Sequence, residues 1–135
     1  MANKTVFIVS EDATVRDSLS KLVAAAGLRA EALPSMGVWF ETAVSELPDC
    51  LVLDASVGEL VDLERFAEFA WACARMPVLV LVHRGAVQTA VYALKYGAMD
   101  VLQKPLRGEI LLKYIKRAVA EEEDAGAGAT PRLRT

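Results

Sequence analysis

The chain reads as an α/β domain: a doubly wound, five-stranded parallel sheet of (βα)₅ order, strand sequence 2-1-3-4-5, in three αβα layers. Three observations predict this. The runs "VFIV" (Val6 to Val9), "CLVL" (Cys50 to Leu53) and "VLVLV" (Val78 to Val82) are apolar almost without a break, as suits strands covered by helices on both faces. Helical patterns alternate with them about every 25 residues, which implies right-handed crossovers. The two more polar strand candidates, "RAEAL" (Arg29 to Leu33) and "MDVLQ" (Met99 to Gln103), come second and fifth, where that order has its edges.

Each helix has its own signature. Val15, Leu19, Leu22, Val23 and Ala26 mark one face, and Gly27 follows as a C′ glycine. Ser35 is placed to cap a second helix bearing Met36, Trp39, Phe40, Ala43, Val44 and Leu47. Leu63, Phe66, Ala67, Ala70 and Ala74 outline a third, stopped by Pro77. Val87, Ala90, Val91 and Leu94 outline a fourth, ending at Gly97, and Ile110, Leu111, Tyr114, Ile115, Ala118 and Val119 a fifth. The third also carries Phe69, Trp71 and Cys73, which cannot all point inward with Phe66. Phe69 and Trp71 are therefore expected on an exposed aromatic patch of the kind that marks a partner surface.

Composition narrows the class. At 135 residues the chain is one domain's worth, with 54% hydrophobic residues and a mean hydropathy of +0.31. No apolar run nears the roughly 20 residues of a membrane span, and "MANKTVFIVS" has no signal-peptide core, so a cytoplasmic protein without membrane contact is expected. A net charge of −3 argues against direct nucleic-acid binding by this segment. Cys50 and Cys73 match no metal or redox spacing and read as reduced, buried thiols. Residues 1–120 form the expected domain. The remainder, 121–135 ("EEEDAGAGATPRLRT"), reads as a helix end running into a flexible linker or tail.

In an open parallel sheet, ligands bind beyond the carboxyl ends of the strands, at the switch in strand order. Ser10, Glu11 and Asp12 follow the first strand, Asp54 ends the third, Val82 and His83 the fourth, and Lys104-Pro105 the fifth. Asp12 also reads as a helix N-cap. Asp54 is harder to dismiss, since it would crowd Glu11 unless a cation intervened. Lys104 is one such cation, and Mg²⁺, which suits carboxylates and keeps its waters, is another.

"IVSEDATVRDSL", "LVLD" and "LKYGAMDVLQKP" fall at the spacing of the CheY-like receiver domain of bacterial two-component response regulators, a flavodoxin-like fold. The chain resembles that family over about residues 4 to 120, most specifically in its "GA-x-D-x-L-x-KP" segment. The resemblance implies a phosphorelay module that is not a turnover enzyme, taking a phosphoryl group on Asp54 from a histidine kinase or phosphotransfer protein. Lys104 matches the lysine that contacts the phosphoryl group and Pro105 the proline often preceded by a cis bond. Glu11 matches the acidic metal ligand, with Asp54 and the Ser56 carbonyl completing a weak Mg²⁺ site. A tail such as this often leads, in the family, into an output domain of a longer regulator, some of them DNA-binding.

The sequence departs from that pattern at functional positions. Ser10 replaces the first member of the acid pair, which weakens the metal site. Val82 replaces a hydroxyl residue whose hydrogen bond to the phosphoryl group is worth roughly 1.5–3 kcal/mol, enough to loosen switching about ten- to a hundredfold. His83 replaces a small residue, Val101 an aromatic switch residue, and Val57-Gly58 the usual "MP". The alternative is thus a phosphate-independent pseudo-receiver acting as an interaction or dimerisation module. The family's dimer face would here carry Tyr92 and Tyr96 with Lys95, Lys113, Lys116 and Arg117. Other classes fare worse. Ser10, Asp54 and His83 lack the G-x-S-x-G elbow of a hydrolase. Ser56 replaces the second aspartate of a haloacid-dehalogenase-type phosphatase, and the acidic "SEDATVRD" would repel a flavin phosphate.

Overall fold

A computed structural model describes residues 4–42, 47–55 and 63–125. The strands are β1 (Thr5–Val9), β2 (Arg29–Leu33), β3 (Cys50–Asp54), β4 (Val78–Val82) and β5 (Asp100–Gln103). They alternate with α1 (Ala13–Ala25), α2 (Met36–Thr42), α3 (Leu63–Cys73), α4 (Val87–Lys95) and α5 (Gly108–Ala125). All strand pairs are parallel, in the order β2-β1-β3-β4-β5. The fold is the one the apolar runs and polar edges imply.

Period-two alternation divides the core between the two faces of the sheet. Val6, Ile8, Cys50 and Val52 pack with Val23 of α1 and Leu111, Ile115 and Ala118 of α5. Phe7, Val9, Leu51 and Leu53 pack with Met36 and Trp39 of α2, Phe69 and Ala72 of α3 and Ala93 of α4. β3 and β4 are buried at every residue, which is why they read as unbroken apolar runs. The helix ends follow their local chemistry. Asp12 Oδ1 accepts from the Thr14 and Val15 amides, Ser35 Oγ accepts from Val38 N, and Gly27 turns the chain out of α1 at φ +82°.

Helical facing is where expectation and structure part. Phe69 is 1% exposed, not part of an exposed patch. With Ala72, and with Met76 just beyond the helix, it forms the inward stripe, whereas Ala67 of α3 and Ala74 after its end face solvent. Both sets have helical spacing, so periodicity could not choose between them; the larger side chains took the space beside the sheet. Trp71 is half-buried, edge-on to Trp39 at 6.0 Å between ring centroids and covered by the Arg75 guanidinium at 4.2 Å. The Phe66 side chain and residues 43, 44, 56–58 and 126–135 lie outside the description.

On α4 the buried residue is Ala93, while Val87 and Val91 are exposed at 68% and 56% beside the exposed Tyr92 and Tyr96. The valines lie on the side of the helix turned away from Ala93. Ile110 and Leu47 are exposed as well, Leu47 in irregular chain after α2. α5 runs to Ala125, past residue 120. No helix among the described residues is long and apolar enough to cross a membrane.

Phe69→Ala should lower stability by about 3–5 kcal/mol in denaturant melts, and Tyr92→Ala should stay within about 0.5 kcal/mol; equal small effects would contradict the facing of α3. Of the two cysteines expected to be buried, Cys50 is and Cys73 is only partly so; the burial it has still pushes the Cys73 thiol up to about 12, so it stays protonated at pH 8. The thiolate is the reactive form. Iodoacetamide at pH 8 should therefore modify native Cys73 far more slowly than the urea-unfolded chain, as read by peptide mass analysis.

Candidate functional site

The carboxyl edge of the sheet collects the predicted residues through its hydrogen-bond ladder. Ser10 N donates to Leu33 O, Ala55 N to Leu81 O and Lys104 N to Val82 O. Each bond extends a strand pairing by a step, so Ser10, Asp54, Val82 and Lys104 emerge together where β1, β3, β4 and β5 end. The Lys104–Pro105 peptide is cis.

Asp54 is the centre of the cluster. Its side chain is 1% exposed, and an ionised carboxylate so placed is costly unless compensated. Lys104 Nζ lies 2.8 Å from Oδ1, and the Ser10 hydroxyl donates to Oδ2 at 2.8 Å. Ser10 is itself buried at 1% exposure and further held. Asp12 N donates to its Oγ at 3.2 Å, and Arg16 Nη1 donates to its carbonyl at 2.7 Å.

The other predicted residues take varied places. Val82 is buried at the end of β4, the strand beside Asp54's, and Val101 is half-buried against the same core cluster. His83 is exposed. It lines, with Arg84 and Lys104, a groove of about 780 Å³ whose apolar walls include Val15, Leu19 and Leu111. Glu11 is exposed, and Asp12 is committed to capping α1. Ser56 falls outside the described residues. Tyr92 stands on α4 and Tyr96 at its C-cap, their rings 6.5 Å apart.

Among the described residues, no three His, Cys, Asp or Glu side chains converge to hold a metal ion. Mg²⁺ can be held by one or two carboxylates and its own waters; of the two carboxylates expected to take part, Asp54 is buried at the end of β3 and Glu11 is exposed just beyond β1.

Sequence reasoning found Asp54 and Lys104 but missed two contacts, the Ser10 hydroxyl on Oδ2 and the Arg16 reach to the Ser10 carbonyl. The first spans 44 residues of sequence, and nothing in a serine after a strand announces its partner. The only signal was that Ser10 stands where an acid is expected.

Comparison with known proteins agrees with the fold and locates the family. The chain is similar to nodulation protein W of Bradyrhizobium diazoefficiens, 31% identical over 117 residues, covering 87% of this chain and 52% of that protein. It is similar to the transcriptional regulatory protein TdiR of Thauera aromatica, 32% identical over 116 residues, covering 86% and 51%. The chain thus spans about half the length of the curated relatives it matches. A CheY-like response regulator receiver domain protein from Methanospirillum hungatei superposes with a TM-score of 0.79 at 22% identity, over 92% of this chain and 99% of that one. The response regulator receiver domain model matches residues 6–116, and the chain belongs to that family of signalling modules, which are not enzymes.

Proposed function

We propose that Asp54 is the phospho-acceptor of this receiver. One carboxylate oxygen attacks the phosphorus of a phosphohistidine on a kinase or phosphotransfer protein. The new O–P bond forms as the P–N bond breaks, and the imidazole leaves with the bonding pair. The observation that carries the reading is the 2.8 Å contact between Lys104 Nζ and Asp54 Oδ1. It supplies a fixed positive charge where negative charge accumulates in such a transfer, and positioning and electrostatics do most of the work in phosphoryl transfer. Mg²⁺ held weakly by Glu11, Asp54 and the Ser56 carbonyl would add further charge neutralisation.

We assign the receiver unit to about residues 1–120 and read 121–135 as linker or tail sequence, the first residues of which, to Ala125, continue α5. The relatives are longer than this chain, which matches about half of each, and one of them is a transcriptional regulatory protein. DNA contact, where the whole protein makes it, is assigned to a segment outside this chain, whose own net charge is −3. Weakened switching belongs to the same proposal. Val82 offers no hydroxyl to a phosphoryl group, and Val101 has no ring to turn inward.

A second reading, a phosphate-independent interaction or dimerisation module, is favoured by the exposed stripe of Val87, Val91, Tyr92 and Tyr96 on α4. The two readings separate in amide NMR spectra recorded with Mg²⁺ and beryllofluoride, an analogue of the phosphoryl group. Phospho-acceptance predicts shifts at Asp54, Val82 and Lys104, and Asp54→Asn should abolish them. An unchanged spectrum at millimolar Mg²⁺, with the fold intact, would eliminate the first reading. Val82→Thr should strengthen propagation to α4, because a hydrogen bond to a charged group contributes roughly 1.5–3 kcal/mol.

Lys104→Met should cost about 3 kcal/mol, the low end for a broken buried pair because Lys104 is partly exposed, since it strands the buried Asp54 carboxylate. Adding Asp54→Asn should recover part of that loss in urea melts. Strictly additive losses would mean that the pair is not coupled.

A further inference from the structure

The Ser10 hydroxyl occupies a place that the family pattern gives to an acid, yet it is neither exposed nor idle. Its oxygen accepts the Asp12 amide at 3.2 Å and lies 2.8 Å from Asp54 Oδ2. A carboxylate paired with an ammonium group has only lone pairs to offer, so the proton between Oγ and Oδ2 must be the serine's. The serine backbone is fixed as well, through Leu33 O on one side and the Arg16 guanidinium on the other. Both serine and carboxylate are at least 96% buried, where a charge-assisted hydrogen bond is strong and leaving it unmade is costly.

We propose that Ser10 is a positioning residue. Its hydroxyl holds Oδ2 while Lys104 holds Oδ1, so the orientation of the Asp54 carboxylate is set by the protein's own donors and does not wait on a divalent cation. An acid at position 10 could not do this. It would bring a second negative charge against Oδ2 and make order at the site depend on a cation to separate the two. Replacing acid by hydroxyl thus trades affinity for Mg²⁺ against a carboxylate that is already aimed. The proposal deepens the phospho-acceptor reading and rests on it for the use to which the aimed carboxylate is put. The hydrogen bond and its effect on cation binding are testable without that use.

The test compares the full chain with Ser10→Ala and Ser10→Thr by NMR of the Asp54 carboxyl carbon, first without Mg²⁺ and then through a MgCl₂ titration. Ser10→Thr keeps the hydroxyl and should keep the wild-type carboxyl signal. Ser10→Ala should move or broaden that signal, lower the thermal midpoint by several degrees, and bind Mg²⁺ as tightly as wild type or more so. An unmoved Asp54 signal in Ser10→Ala would overturn the proposal. A several-fold loss of Mg²⁺ affinity in that variant would also overturn it, since the hydroxyl would then be serving the cation. Should Ser10→Ala not fold, the wild-type chain decides: the Ser10 hydroxyl proton should give a slowly exchanging resonance, and rapid exchange with water would refute the hydrogen bond. Adding beryllofluoride to the same samples keeps the two claims apart. If no sample responds while the Ser10 results come out as expected, phospho-acceptance fails and the positioning role of Ser10 stands.

Discussion

A carboxylate nearly sealed from water at the end of a central strand must be compensated, and the arrangement of the carboxyl edge follows from that need. Asp54 ends β3, which lies between β1 and β4. Its compensating groups come from either side, a hydroxyl just beyond β1 and an ammonium just beyond β5. Lys104 reaches across β4, and its amide is fixed to Val82 O. Were the order of strands different, these donors would emerge elsewhere and the charge would be stranded. Topology and electrostatics are one constraint here. The chain crossovers deliver two donors to the two oxygens of a single side chain.

That coupling explains why the fold and the centre of the site could be read from residues alone. β3 and β4 are buried along their whole length, so "CLVL" and "VLVLV" carry no polar interruption. β2 and β5 border solvent and show it in Arg29, Glu31 and Gln103. Once the order 2-1-3-4-5 is inferred, the position of Asp54 opposite Lys104 follows from where the apolar runs stop. Asp12 and Ser35 were legible as caps because a cap is a local event, settled within three residues.

The rest depended on volume and on distant partners, which a linear pattern does not encode. On α3, Ala67 and Ala70 compete with Phe69 and Ala72 for the inward face, and both stripes satisfy a helical period. The larger Phe69 takes the place beside the sheet, in the cluster it shares with Trp39 of α2. On α4 the valines lost to Ala93, because a small residue lets the helix lie close to β4 and β5. Ser10 is the same problem in polar form, since its meaning is decided by a carboxylate far along the chain.

Gly97 shows how unevenly this molecule can tolerate drift. It leaves α4 at φ +110°, where L side chains are rarely found, and a Cβ there would come within 3.1 Å of the Cys73 Cβ. Any other residue would meet backbone strain and a neighbour with little freedom to retreat. One turn earlier, Val91 and Tyr92 look outward from the same helix and meet no such wall. The fold therefore tolerates little change at one end of α4 and much more along its outer side. The helix surface can thus change without cost to the fold while the turn that delivers β5, and with it Lys104, stays in place.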